Sequence, residues 1–200
     1  MLDTRRAQLT ALGVGSGVFL VGAALAWDDN IPPGEEAVFE FVNGWPDWIA
    51  WPLYPVMQFG MVVAPLVAGA VAWYLTRKRQ PALALASTGF GMWLLAKVVK
   101  AVVDRPRPGG LDLEEVISYR IDGGPSGLGF VSGHAVVGFV IAVIASPYVG
   151  KRWASVLWAL ATGAATLRVY VGAHLPLDSV AGTGLGIAAG AAALLIIRRR

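Results

Sequence analysis

The chain has 200 residues, of which 56% are hydrophobic and 14% charged, and its mean hydropathy is +0.61; that leaves too little polar surface to clothe a soluble domain. It has no cysteine, which excludes disulfides, thiolate metal sites and cysteine nucleophiles. The net charge of +3 and pI near 9.4 do not indicate nucleic-acid binding, because the basic residues cluster at the ends of apolar runs, as membrane topology requires.

Those apolar runs predict an all-α integral membrane bundle, one domain over residues 1–200, with six transmembrane helices at 9–27, 49–75, 81–103, 134–149, 153–171 and 176–197. Ahead of the first span stand Arg5 and Arg6, and Ala24-Leu25-Ala26 closes it in the manner of a cleavable secretory signal. Its apolar run is long for a signal, so a retained helix is expected. Residues 35–44 mix Val38, Phe39, Phe41 and Val42 with acids, which suits a short helix on the outer interface or an ordered loop. The second span carries Pro52, Pro55 and Pro65, so it is expected to begin late or to kink. Trp27, Trp45, Trp48, Trp51, Trp73 and Trp153 fall near span ends, where indole anchors belong. In the last span Gly182, Gly186 and Gly190 recur every four residues, a spacing that lets helices approach closely.

Charge alternates along the connections. Arg5-Arg6, Arg77-Lys78-Arg79, Lys151-Arg152 and Arg198-Arg199-Arg200 mark one side. Asp28, Asp29, Glu35, Glu36, Glu40 and Asp47 fill the first connection, and Asp112, Glu114, Glu115 and Asp122 the third. By the positive-inside rule both termini are cytoplasmic, and the third and fifth connections face outward.

The chemistry-bearing residues gather on that outward side. Lys100 ends the third span, and Arg105-Pro106-Arg107-Pro108 follows, so that Lys100 and Arg107 can flank one anion. Lys97 and Lys100 can also simply snorkel to headgroups. Ser132-Gly133-His134 opens the fourth span, where backbone N–H groups and the Ser132 hydroxyl can hold an anion and His134 can act as a general acid. Arg168 near the end of the fifth span adds a third cation. His174 precedes Asp178 by one helical turn, so the carboxylate can accept from one imidazole nitrogen and leave the other free to attack phosphorus. A His–Asp capping pair and half of a metal site are the other readings of that spacing; a zinc site would need a third convergent ligand, and none stands out beyond His134.

The pattern resembles the type 2 phosphatidic acid phosphatase family, membrane lipid phosphatases related to vanadium haloperoxidases. Its signature is Lys-x6-Arg-Pro, Pro-Ser-Gly-His and Ser-Arg-x5-His-x3-Asp. Lys100 to Arg107-Pro108 matches the first part. Ser132-Gly133-His134 matches the second, with Val131 in place of proline, and Arg168, His174 and Asp178 match the third, with Leu167 in place of serine. Thr166 beside it would point about 100° away on a helix. The resemblance implies a six-helix bundle with its site near the outer membrane surface. It also implies a phosphohistidine on His174 oriented by Asp178, and a leaving group protonated by His134. Phosphoryl oxygens would be held by Lys100, Arg107, Ser132, Gly133 and Arg168, with no metal and no cofactor. The expected partners are a lipid phosphate and the bilayer: a polyprenyl pyrophosphate, phosphatidylglycerol phosphate, phosphatidic acid or polyprenyl-linked sugar phosphate. Residues 104–132, with Gly123-Gly124-Pro125, are the expected seat of selectivity or only a connector. Transfer of the phosphoryl group to a lipid or sugar hydroxyl would use the same motifs. A non-catalytic binding protein or transporter is the reading from another class; a transporter would carry charges near mid-span, whereas these gather at span ends.

Overall fold

The computed structural model describes residues 2–27, 31–111, 117–124 and 126–197, and apart from one isolated bridge their regular elements are all helical. The α-helices are α1 Arg5–Ala26, α2 Glu35–Asn43, α3 Ala50–Met57, α4 Ala64–Thr76, α5 Arg79–Val103, α6 Gly133–Ala145, α7 Lys151–Tyr170 and α8 Pro176–Ile197. Asp28, Asp29, Asp112, Glu114, Glu115, Pro125, Arg198, Arg199 and Arg200 lie outside the described residues.

The apolar pattern decides which helix sits at the centre. From Ala135 to Ile144 every residue of α6 is buried, as expected of a helix that is apolar on all faces. α8 lies against it through Gly182, Gly186 and Gly190; a Cβ at Gly182 would come within 2.7 Å of the Ser132 carbonyl oxygen, and one at Gly190 within 2.7 Å of Val143. The small-residue stripe thus acts as helix-to-helix packing. On another face of α8, Gly15 of α1 meets Gly184 and Ala188 while Gly22 meets Ala181, so α1 and α8 run antiparallel. By contrast, Val14, Leu20 and Val21 of α1, Leu66, Val67 and Val71 of α4 and Leu94, Val98 and Val102 of α5 are exposed apolar side chains, a surface suited to hydrocarbon.

Among the described residues, α1, α5 and α8 are long and apolar enough to cross a membrane. The expected second span is not one straight helix: residues Asp47–Gly60 and Ala64–Thr76 meet at 72°, and the pair makes a fourth candidate if taken as one broken span. Pro55 lies inside α3 and Pro65 opens α4, where its missing N–H costs nothing. Between them, Gly60 rests directly on the start of α6. A Cβ there would come within 2.7 Å of His134 Cβ, so only glycine allows this close approach. At the expected fourth span stands α6, a shorter apolar helix of 13 residues, about 20 Å, extended by a 3-10 turn at Ser146–Tyr148. α7 begins at Lys151, two residues earlier than expected.

The expected short helix at 35–44 is α2, closed by Gly44. Phe39 is buried against Val169 and Leu175 and fixes α2 to the ends of α7 and α8. Arg120 ties the 117–124 segment to the same corner. It donates to the carbonyls of Asn43, Trp45 and Tyr170 at 2.8–2.9 Å and to Asp47 Oδ1 at 2.8 Å, and its guanidinium lies 4.3 Å from the Tyr170 ring centroid. Trp27, Trp48, Trp51, Trp73 and Trp153 are all more than half exposed, whereas Trp45 packs inward on Tyr170.

Candidate active site

Four helix termini meet at one end of the bundle: the C-termini of α5 and α7 and the N-termini of α6 and α8. All eight residues expected from the sequence lie there. The basic groups that are not in the motifs, Arg5-Arg6, Arg77-Lys78-Arg79 and Lys151-Arg152, lie at the opposite helix termini.

Asp104 caps α5 in the left-handed region, φ 56°, a conformation that Asp tolerates better than most residues. That reversal turns Arg105, Pro106 and Arg107 back across the bundle end. There they pair with Gly127–Gly129: Arg107 N–H donates to the Gly127 carbonyl at 3.0 Å and Gly129 N–H to the Arg105 carbonyl at 2.7 Å. Lys100 reaches the same strip, donating from Nζ to the carbonyls of Leu128 and Gly129 at 2.9 and 2.6 Å. An ammonium has three protons, so one remains for a ligand.

Val131 follows a cis peptide bond and is fully buried, and Ser132 then caps α6. The Ser132 hydroxyl makes no capping hydrogen bond and, though buried, has no partner among the described residues; the same holds for Arg107 Nε and Arg168 Nε. Buried polar atoms are seldom left without a protein group, an ordered water or a ligand to complete them. Arg168 is nearly buried; its Nη2 donates to the Asp122 carbonyl at 3.1 Å and its Nη1 to Met57 Sδ at 3.5 Å. Lys100, Arg107 and Arg168 each act electrostatically on both His134 and His174, which places three cations around two imidazoles. The cluster is primed for an anion, whose charge would relieve the mutual repulsion of the cations.

His174 follows α7 in the turn whose Ala173 and His174 N–H groups both donate to the Arg168 carbonyl at 3.1 Å. Its Nδ1 faces Asp178 Oδ2 at 3.3 Å, and the same oxygen accepts from Leu175 N–H at 3.0 Å. Burial pushes the His174 imidazole well below its ordinary value, Lys100, Arg168 and Arg107 push it the same way, and a backbone interaction at Gly129 opposes them. The ring is therefore neutral at pH 7 and keeps a lone pair. Asp178 is fully buried, and its backbone carbonyl accepts from Ser132 N–H at 3.0 Å, which locks α8 to the start of α6.

Two residues given no role from sequence belong to this cluster. Arg105 is fully buried and bridges Asp178 Oδ1, at 3.0 Å, and Glu35 Oε2, at 2.6 Å. Burial works against its charge, but Glu35 and Asp178 outweigh that and hold Arg105 above its ordinary value. Of the two departures from the family signature, Leu167 is buried with Met57, Tyr170, Val171 and Ala173. Thr166 lines a cavity of about 340 Å³ between α2, α7 and α8 and supplies nothing to the cluster. Larger cavities, about 1040 Å³ between α1 and α7 and about 580 Å³ along α4, are lined by none of the eight residues. Among the described residues no group of three His, Asp or Glu side chains is placed to hold a metal ion.

Residues 79–200 match the family model described as the PAP2 superfamily. The chain has the fold of the crystal structure titled the first transmembrane PAP2-type phosphatidylglycerolphosphate phosphatase from Bacillus subtilis, with 20% identity over 93% of this chain and 96% of that one, TM-score 0.75. It is also similar to the crystal structure of Aquifex aeolicus LpxE, with 22% identity over 80% of this chain and 93% of that one, TM-score 0.62. No curated protein matches the chain significantly.

Proposed function

The chain belongs to the PAP2 superfamily, and from that premise we propose that it is an integral membrane lipid phosphatase working through a phosphohistidine. The observation that carries this reading is the convergence of Lys100, Arg107, Arg168 and an unpartnered Ser132 hydroxyl on a buried, neutral His174 paired with Asp178. Three cations and a hydroxyl suit a tetrahedral phosphoryl group better than a carboxylate, which offers only two oxygens.

In this mechanism Asp178 holds the proton of His174 on Nδ1. The Nε2 lone pair attacks phosphorus, an N–P bond forms and the P–O bond to the lipid breaks. His134, at the start of α6, gives its proton to the departing oxygen. A water molecule then loses a proton to His134 and attacks the phosphohistidine, breaking the N–P bond and releasing inorganic phosphate. The three cations, Ser132 and the Gly133 N–H stabilise charge on the equatorial oxygens in both steps. No metal ion takes part.

The substrate is a phosphomonoester or pyrophosphate of a membrane lipid, its hydrocarbon chain remaining in the bilayer. Phosphatidylglycerol phosphate, the substrate named for the Bacillus subtilis relative, is one member of that class beside polyprenyl pyrophosphate, phosphatidic acid and polyprenyl-linked sugar phosphate. The chain crosses the membrane six times as a single domain, the broken second span counting as one pass. The basic helix ends face the cytoplasm and the site opens on the other side. Detergent-purified protein given a panel of these lipids with EDTA should release phosphate, and His174→Ala should abolish release. Turnover that requires added divalent metal, or that survives His174→Ala, would remove the proposal.

A further inference from the structure

Asp178 is anchored through both oxygens. Oδ2 serves His174 and the Leu175 N–H, while Oδ1 accepts from Arg105. Arg105 in turn is gripped by Glu35, whose Oε2 accepts at 2.6 Å and whose Oε1 also accepts from Leu177 N–H at 2.8 Å. The chain Glu35–Arg105–Asp178–His174 thus joins α2, the loop after α5, the start of α8 and the loop after α7. Burying three charges in one network is seldom the cheapest way to stabilise a fold, and apolar side chains of similar volume often do as well. What an apolar plug cannot do is give Asp178 Oδ1 a charged donor and so hold Oδ2 facing Nδ1.

We infer that Glu35 and Arg105 are positioning residues for the nucleophile: Arg105 fixes the charge and orientation of Asp178, and Glu35 fixes Arg105. This rests on the phosphohistidine reading above. The proton of the His174 imidazole is then kept on Nδ1 and the attacking Nε2 pair stays free. Without Arg105 the buried Asp178 keeps only the Leu175 N–H and the charge of Lys100; it then takes up a proton, becomes a donor to Nδ1, and drives the imidazole proton to Nε2, where it blocks attack. The same network makes α2, more than 130 residues from His174 in sequence, part of the active site.

The chain has only two histidines, so protein labelled with 15N in histidine reports the His174 tautomer directly, with His174→Ala supplying the assignment. Wild type should carry the proton on Nδ1, and Arg105→Gln should move it largely to Nε2 at pH 7. In parallel, Arg105→Gln should lower kcat about 10- to 100-fold, by analogy with removal of the outer-shell partner of a metal-bound imidazole. Its activity should recover as pH rises, and Arg105→Lys, which restores the charge, should restore the wild-type pH profile. Glu35→Gln should give a smaller loss in the same direction. An Arg105→Gln imidazole that keeps its proton on Nδ1, or a rate loss equal at every pH, means a packing role and overturns the inference. The tautomer is read without substrate, so it decides this point even if wild type hydrolyses no lipid phosphate, an outcome that would overturn only the proposed function.

Discussion

Ser132→Ala separates binding chemistry from folding more sharply than any other substitution in this site. The hydroxyl is fully buried and has no hydrogen-bond partner among the described residues, so its removal breaks no hydrogen bond to them. It also relieves the desolvation cost of a buried unsatisfied group, about 1–3 kcal/mol where none of it is compensated. Thermal stability in detergent should therefore equal or exceed that of wild type. Turnover should move the other way. A hydroxyl donating to an anionic phosphoryl oxygen contributes about 1.5–3 kcal/mol, and at 1.36 kcal/mol per tenfold its loss lowers kcat/KM about 10- to 150-fold. The assay is phosphate release from a short-chain lipid phosphate in mixed micelles, with the unfolding midpoint of the same preparation measured alongside. A variant that keeps kcat/KM within twofold of wild type, or one that is clearly destabilised, would show that the hydroxyl is an ordinary helix-cap group and that the anion site is misplaced.

The sign of the His174 shift sets a pH expectation. Because the group lies well below 6.5, its neutral, nucleophilic form persists as pH falls from 7 through 6.5. kcat/KM, corrected for ionisation of the substrate phosphate, should show no acid limb near 6.5; a limb at that position would mean an ordinary, solvated imidazole. Arg120→Ala strips partners from the carbonyls of Asn43, Trp45 and Tyr170 and should cost about 2–3 kcal/mol; unfolding within 0.5 kcal/mol of wild type would contradict the clamp. Leu167→Ser restores the residue usual in the family but places a hydroxyl among Met57, Tyr170 and Val171. It should lower stability by about 2–4 kcal/mol without raising kcat, and a gain in turnover would show that this side chain can reach the phosphate.

Sequence legibility followed the range of the interactions. Spacing within one segment made the candidate site legible: Lys100 to Arg107 and His174 to Asp178 are local, and the fold brings those segments to one end of the bundle. The packing of α8 was equally legible, because a repeat of glycines every four residues has one geometric meaning on a helix. The break in the second span was signalled by Pro52, Pro55 and Pro65. Its location and its 72° bend were not, since they depend on Gly60 lying against His134, a contact across 74 residues of chain. Glu35 and Arg105 were hidden for the same reason. Glu35 reads as one more acid in an acidic connection, and Arg105 as one more cation before a proline; only the folded topology makes them partners. The shortness of α6 has a similar origin, because Ser146, Pro147 and Tyr148 tighten into a 3-10 turn whose Ser146 hydroxyl accepts from Trp158 Nε1 at 3.0 Å.

The three cations are held near one another by tethers and by nearby acids, Asp178 acting on Lys100 and Asp122 on Arg168. Lys100 is tethered by two carbonyls and Arg168 by one carbonyl and one thioether, neutral acceptors that fix position without neutralising charge. Under the proposed function a lipid phosphoryl group would meet donors already aimed, which would keep the reorganisation cost of the transition state low.

The central claim is the covalent intermediate on His174, and trapping it tests that claim most directly. Wild-type protein would be mixed with a 32P-labelled lipid phosphate and quenched in alkali within milliseconds, and the labelled peptide mapped. Acid-labile, alkali-stable label on His174, absent from His174→Ala and chased off by unlabelled substrate, is the predicted result. Phosphate release with no protein-bound label on that time scale, or label on any other residue, would contradict it.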